Sequence, residues 1–305
     1  MGESRRQGIE VLRTGPELGA DIEGVDLSGE LDSEVFRCVY QAWNDHLVLR
    51  FRGQRVNDDA LVAFSRRFGE LDMAPTPAAE ERLAPMRPEI AVISNIVIGG
   101  EAVGSLGNSE LVWHQDMSYT ELPPKASLLY AIETPSAGGE TFFYNLYKAY
   151  ETLPRALKDR IQGLSCKHDA THNSAGQLRR GFREHYSNPE RPGAVHPLVV
   201  RHPETGRSSL YLGRRPNAWI VGLSDADSEV LLDDLWGHIQ NGSHLWVQQW
   251  RQGDLVIWDN RCTLHRRNQL DPSLRRLMHR TQVRDNTRPV AARDPRISRN
   301  VYEHP

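Results

Sequence analysis

The sequence predicts a mainly β chain with flanking helices and a jelly-roll core. Two observations carry this. Between residues 90 and 285 the apolar residues fall in short runs of strand length, separated by turn-forming residues. The residues that most resemble a metal-binding set lie at opposite ends of that region, His114 and Asp116 near its start and His265 near its end. A jelly roll brings such distant strands together and uses its mouth as a pocket. No linker and no repeat interrupts the chain, so a single domain over residues 1–305 is expected.

Taken in order, residues 9–12 read as a strand, and residues 19–27 alternate small or apolar with polar residues, as a half-buried strand does. Asp32 and Ser33 open a helix with Val35, Val39, Ala42 and Trp43 along one stripe. Residues 47–51 form a short β run. Asn57 caps a second helix that carries Leu61, Phe64 and Phe68 and ends near Gly69. Residues 73–88, rich in Pro, Ala and Glu, read as a loop, and residues 90–95 as the next strand. A glycine-bearing stretch, 96–110, leads into the His114 segment.

Residues 127–132 are a buried-type strand, and 141–144 another after the Gly138-Gly139 turn. Residues 146–163 read as two helical pieces split by Pro154. Residues 170–193 are polar and read as a solvated insertion, the rival being a lid that brings a cation to the pocket. Residues 195–212 hold two strands around the turn at 203–206. Residues 224–240 form an amphipathic helix with Leu231, Leu235 and Ile239 at spacing four. Strands follow at 246–250, 255–258 and 277–283, and the Arg- and Pro-rich tail, 286–305, is expected to pack loosely.

A net charge of -3 on 305 residues gives no basic surplus for a nucleic-acid surface. The three cysteines, Cys38, Cys166 and Cys262, are odd in number and widely spaced, which fits neither a disulfide framework nor a zinc site. A reduced, cytoplasmic setting is the simplest expectation. The N-terminal residues lack an apolar signal core, and no run reaches the ~18 apolar residues of a membrane span. Arg6 stands where a myristoylation signal has Ser or Thr.

The chemistry concentrates in two stretches, Trp113-His114-Gln115-Asp116 and Trp258-Asp259-Asn260-Arg261-Cys262-Thr263-Leu264-His265. In an extended strand, residues i and i+2 share a face, so His114 and Asp116 would project together. With 12 His and 40 acidic residues in the chain, a lone His-x-Asp pair is weak. With His265 added, the set is two histidines and a carboxylate, the facial triad of non-haem Fe(II) oxygenases, which leaves the opposite metal face open. An arginine shortly after the distal histidine suits a dicarboxylate, because a guanidinium grips a carboxylate through two parallel hydrogen bonds.

Four segments in order, WHQD, ETPSAGGET, GDLVIWDNRCTLH and RRLMHR, resemble the taurine dioxygenase and 2,4-dichlorophenoxyacetate dioxygenase family, from about Ile9 to Asp285. The resemblance implies a double-stranded β-helix of the clavaminate-synthase-like type. It implies Fe(II), with 2-oxoglutarate and O2 as co-substrates, and release of succinate and carbon dioxide. Iron would be held by His114, Asp116 and His265, and 2-oxoglutarate by Thr141 and Arg276. Arg280 matches an arginine that holds the sulfonate in the taurine enzyme. Strand spacing places it on the face of Arg276, so the expected substrate is a small organic anion. Asn95, Glu110 and Tyr119 are further candidates for substrate contacts.

Asp116 argues for hydroxylation, since related halogenases have a small residue there. Hydroxylation beside a heteroatom would cleave a sulfonate, a sulfate ester or an aryloxyalkanoate. Taurine itself fits poorly, because the substrate histidine of that enzyme has no counterpart near Asp72-Met73-Ala74-Pro75, and the residues before Trp113 are Ser109-Glu110-Leu111-Val112. A small-molecule substrate, no nucleic acid, no membrane and a homo-oligomer, dimer or tetramer, are the expected partners. Two rivals are a non-catalytic metal-binding module, such as a sensor, and a zinc hydrolase. Arg276 and Thr141 speak against the first, and the second would need a general base and no dicarboxylate clamp.

Overall fold

The strand Leu255–Asp259 is buried at every position, so it must have packing partners on both faces. The computed structural model supplies them; it describes residues 4–6, 8–74, 87–106, 111–173 and 176–292. The chain begins β1 (Ser4–Arg6), β2 (Ile9–Arg13), β3 (Ala20–Glu23), α1 (Ser33–His46), β4 (Val48–Phe51) and α2 (Asp58–Arg66). It continues through β5 (Ala91–Ser94), β6 (Val97–Ile98), β7 (Glu101–Ala102), β8 (Ser105–Leu106), β9 (Ala126–Glu133) and β10 (Thr141–Asn145). Next come α3 (Leu146–Thr152), α4 (Arg155–Ile161), β11 (Ser165–Lys167), β12 (Val195–Pro197), β13 (Val199–Arg201), β14 (Ser208–Leu210) and β15 (Trp219–Ile220). The last elements are α5 (Asp225–Gln240), β16 (Leu245–Gln248), β17 (Leu255–Asp259), β18 (Thr263–Arg267) and β19 (Leu277–Val283).

The major sheet runs β1-β2-β3-β4-β17-β9-β19-β5-β8, and a smaller sheet runs β16-β10-β18. Side chains alternate between the two faces of the major sheet. Val48, Leu129, Val256, Trp258 and Met278 turn inward to meet Phe143 and Trp246 of the smaller sheet. Their neighbours Leu49, Leu128, Leu255 and Ile257 turn outward and pack on Trp43 of α1 and Phe64 of α2. A third core buries the outer residues Tyr144 and Leu264 of the smaller sheet beneath α3, α4 and α5. Two largely antiparallel sheets closed on one interior form the double-stranded β-helix core the sequence predicts.

The expected helices form where their caps stand. The Asp32 side chain accepts from the Glu34 amide, Asn57 from Ala60 and Ser224 from Asp227. Pro154 separates α3 from α4. Two expectations change. The 195–212 region holds three strands rather than two, because β12 pairs separately with β11. The tail does not pack loosely along its described part: Arg201 donates its amide to Val290 and Ala292 donates to Val199, so the segment up to Ala292 is fastened to β13. Residues 293–305 lie outside the described residues. The 170–193 insertion is anchored at its start, where Asp169 and Thr171 are buried and the Arg214 guanidinium donates to the His172 carbonyl. No helix among the described residues is long and apolar enough to cross a membrane. Cys38, Cys166 and Cys262 are free thiols.

Candidate active site

His265 lies in the middle of β18, opposite Phe143 of β10. Alternation turns Phe143 and His265 inward and Tyr144 and Leu264 outward. The imidazole is fixed between aromatic rings, with Trp258 at 4.8 Å and Phe143 at 6.1 Å between centroids. His114 reaches it by an isolated antiparallel bridge: each residue donates its amide to the carbonyl of the other, at 3.0 and 2.9 Å. The expected strand through His114 and Asp116 is absent. The chain turns directly after the bridge, Met117 takes a positive φ of 48°, and this turn delivers the Asp116 carboxylate. The i, i+2 argument pairs two residues that do converge, but through a turn and not a strand.

His114, Asp116 and His265 are all buried, and one donor atom from each lies within 4.8 Å of the others. Asp116 Oδ1 stands 3.9 Å from His114 Nε2 and 3.8 Å from His265 Nε2, too far for hydrogen bonds. His114 Nδ1 sits 2.9 Å from the Val112 carbonyl, which can only accept, so Nδ1 carries a proton and Nε2 is the nitrogen turned toward the carboxylate. Burial, with His114 and Arg280 nearby, lowers the His265 pKa to about 3 despite the opposing pull of Asp116, so this imidazole is neutral. Burial alone would raise the Asp116 pKa, but Arg280, His265, His114 and Ser127 outweigh it and hold the group at about 2. Two imidazole nitrogens and one anionic carboxylate around a gap of this size fit a single divalent iron.

Asp116 is gripped on both backbone and side chain. Its amide donates to Asn260 Oδ1 at 2.7 Å, and Asn260 Nδ2 donates to its carbonyl at 2.9 Å. Gln115 Nε2 donates to the Asn260 carbonyl, and Gln115 Oε1 accepts from the Gly213 amide. The Ser127 hydroxyl donates to Asp116 Oδ2 at 2.7 Å.

Beside His265 a small cavity is lined by Ile93, Leu129, Thr141, Trp258, Arg267, Arg276 and Arg280. Arg276 precedes β19, whose register shifts at Leu277/Met278, and its side chain still shares this cavity with Arg280. Arg280 Nη1 lies 3.6 Å from Asp116 Oδ1. The Thr141 hydroxyl accepts from Trp250 Nε1 at 2.9 Å, which fixes its lone pairs. Arg267 was not foreseen. It follows His265 by two on the same strand face, so the spacing argument already used for Arg280 would have found it.

The other candidates sit differently. Asn95 accepts the Arg276 amide at 2.9 Å and donates to the Leu274 carbonyl at 2.8 Å, so both ends of its amide hold the approach to β19. Tyr119 lies under the Arg179 guanidinium, 4.0 Å from the ring centroid, and does not line the cavity. Glu110 lies outside the described residues.

A β-helix with paired imidazoles, a carboxylate and buried guanidiniums at its mouth is the frame of Fe(II) oxygenases that use 2-oxoglutarate. Comparison with known proteins makes this definite. Residues 10–282 match the sequence profile of the taurine catabolism dioxygenase TauD, TfdA family, and the chain belongs to that family. It is 33% identical to the alpha-ketoglutarate-dependent 2,4-dichlorophenoxyacetate dioxygenase of Cupriavidus pinatubonensis, over 89% of this chain and 96% of that one. It is 32% identical to pentalenolactone F synthase of Streptomyces arenae, over 87% and 91%. Among solved structures, AAD-2 in complex with Mn(II) and N-oxalylglycine superposes with a TM-score of 0.74 at 30% identity, over 92% of this chain and 99% of that one. The protein is therefore an Fe(II)- and 2-oxoglutarate-dependent dioxygenase, and the sensor and hydrolase readings are set aside.

Proposed function

We propose that His114, Asp116 and His265 hold the iron, that Arg276 and Thr141 hold the distal carboxylate of 2-oxoglutarate, and that Arg280 receives the negative end of a small organic anion. One observation carries the reading: Arg267, Arg276 and Arg280 line a single cavity beside the histidine pair, with Asp116 as the nearby carboxylate. Three guanidiniums gathered in one low-dielectric cavity suit a dicarboxylate and a second anion. Bound iron supplies the oxidising chemistry when 2-oxoglutarate and O2 are present. The chain's own residues orient the two anions, and Trp258, Leu129 and Ile93 exclude water from one wall.

Aryloxyalkanoates, alkyl sulfates and sulfonates are the substrate classes that fit. The dioxygenase of Cupriavidus pinatubonensis is named for an aryloxyacetate, and relatives at 33% and 31% identity are named as an alkylsulfatase and a sulfate ester dioxygenase. A succinate-release screen with Fe(II), 2-oxoglutarate and these anions tests the reading. Substrate-dependent succinate is expected from at least one, with coupling lost in Arg280→Leu. Equal turnover of uncharged analogues would sink the anionic assignment. We also propose one domain over residues 1–305, acting in the cytoplasm as a homo-oligomer. Strands shared between the cores support the single domain, and light scattering tests the oligomer.

A further inference from the structure

The carboxylate of Asp116 is divided between two tasks. Oδ1 faces His114 Nε2 and His265 Nε2, while Oδ2 accepts the Ser127 hydroxyl at 2.7 Å. Ser127 is wholly buried on the inward face of β9. Its cross-strand partner in β19 is Gln282, whose Nε2 donates to Ser127 Oγ at 3.3 Å. An amide nitrogen can only donate, so Ser127 Oγ accepts there and turns its own proton toward Asp116. The chain Gln282 to Ser127 to Asp116 therefore has a fixed direction.

We infer that Ser127, oriented by Gln282, is the positioning residue that keeps Asp116 a one-oxygen metal ligand. The inference rests on the assignment of iron to His114, Asp116 and His265. Asn260 fixes the Asp116 backbone from both sides but leaves the carboxylate free to rotate about its last bond. Ser127 stops that rotation. Without it, Oδ2 could swing toward the metal and occupy a coordination position that the co-substrates need, or the group could turn toward Arg280, already 3.6 Å away. Hydrogen-bond partners behind metal ligands commonly change metal affinity ~10–100-fold when removed.

The test compares Ser127→Ala with Ser127→Thr, which restores a hydroxyl and suits a strand. Metal-free protein is titrated with Mn(II) in the absence of 2-oxoglutarate and O2, the Co(II) absorption spectrum is recorded, and melting is followed without metal. The expected result is ~10–100-fold weaker Mn(II) binding in Ser127→Ala, with an altered Co(II) spectrum. Metal-free melting should fall only slightly, as the loss of one buried hydroxyl requires, and Ser127→Thr should restore affinity. Binding as tight as the parent's in Ser127→Ala overturns the inference. So does an affinity loss that Ser127→Thr shares, or one seen only together with a large fall in metal-free melting, since either marks a merely structural serine. If Ser127→Ala does not fold, Gln282→Leu decides: severalfold weaker Mn(II) binding supports the relay, and unchanged binding overturns it. His114→Ala is run alongside. Parent-like Mn(II) binding in that variant would remove the ligand assignment itself, a failure distinct from that of Ser127.

Discussion

On the outer face of β19, His279 Nδ1 lies 2.7 Å from Asp58 Oδ1 and the Thr281 hydroxyl lies 2.7 Å from that of Ser65, so both residues bind the sheet to α2. On the inner face of the same strand, Arg280 reaches to within 3.6 Å of Asp116 and Gln282 holds Ser127. Successive residues thus serve the helical layer and the site in turn, with only the pleat of one strand between them. The difference teaches that fold and chemistry are separable here. Changes on the outer face should move stability and spare ligand affinity, and changes on the inner face should do the reverse.

The largest effect should come from Asp116→Ala, which removes the anion at the centre of the inner group. Iron stoichiometry should collapse, with a smaller fall in metal-free melting, since Arg280, His265, His114 and Ser127 together outweigh the cost of burying this carboxylate. Full activity of this variant without added carboxylate would break the comparison at its strongest point. Arg276→Leu should weaken 2-oxoglutarate by ~2–5 kcal/mol, read as a raised KM, with iron binding near normal. An unchanged KM would shift the clamp to Arg267 or Arg280, its neighbours in the cavity.

Leu255→Ala, on the outer side of β17, should cost ~2–5 kcal/mol of unfolding free energy through the cavity it leaves in the core against α1 and α2. The KM for 2-oxoglutarate should not move, and if it does, the two faces are coupled. The smallest effect is expected from Thr281→Val, which deletes one member of a buried hydroxyl pair, for about 1 kcal/mol in denaturant unfolding.

Much of this could be read from the chain. The capped helices announced themselves through Asp32, Asn57 and Ser224, because a cap residue followed by an apolar stripe is a local signal. The long strands β9, β17 and β19 were visible as apolar runs. Strands of two or three residues, such as β6, β7, β8, β11 and β15, were not, since so few residues carry no measurable period. Motif order singles out His114, Asp116, His265, Arg276 and Thr141, and these residues lie close together in the structure. The Ser127–Gln282 pair was beyond reach: the two residues are 155 apart, and nothing in either local sequence names its partner. The turn at Met117 was hidden for another reason, since methionine is an uncommon occupant of positive φ.

The bridge between His114 and His265 has a kinetic consequence. It closes about 150 residues of intervening chain, a closure whose entropy runs to roughly 4 kcal/mol. Contacts of such long sequence separation form slowly and offer little until both sheets are in place. A chain that has built its helices and hairpins but not this bridge has no metal site at all. Metal uptake during refolding should therefore lag behind the far-ultraviolet signal, which makes a bound divalent ion a timer for the final closure of the roll.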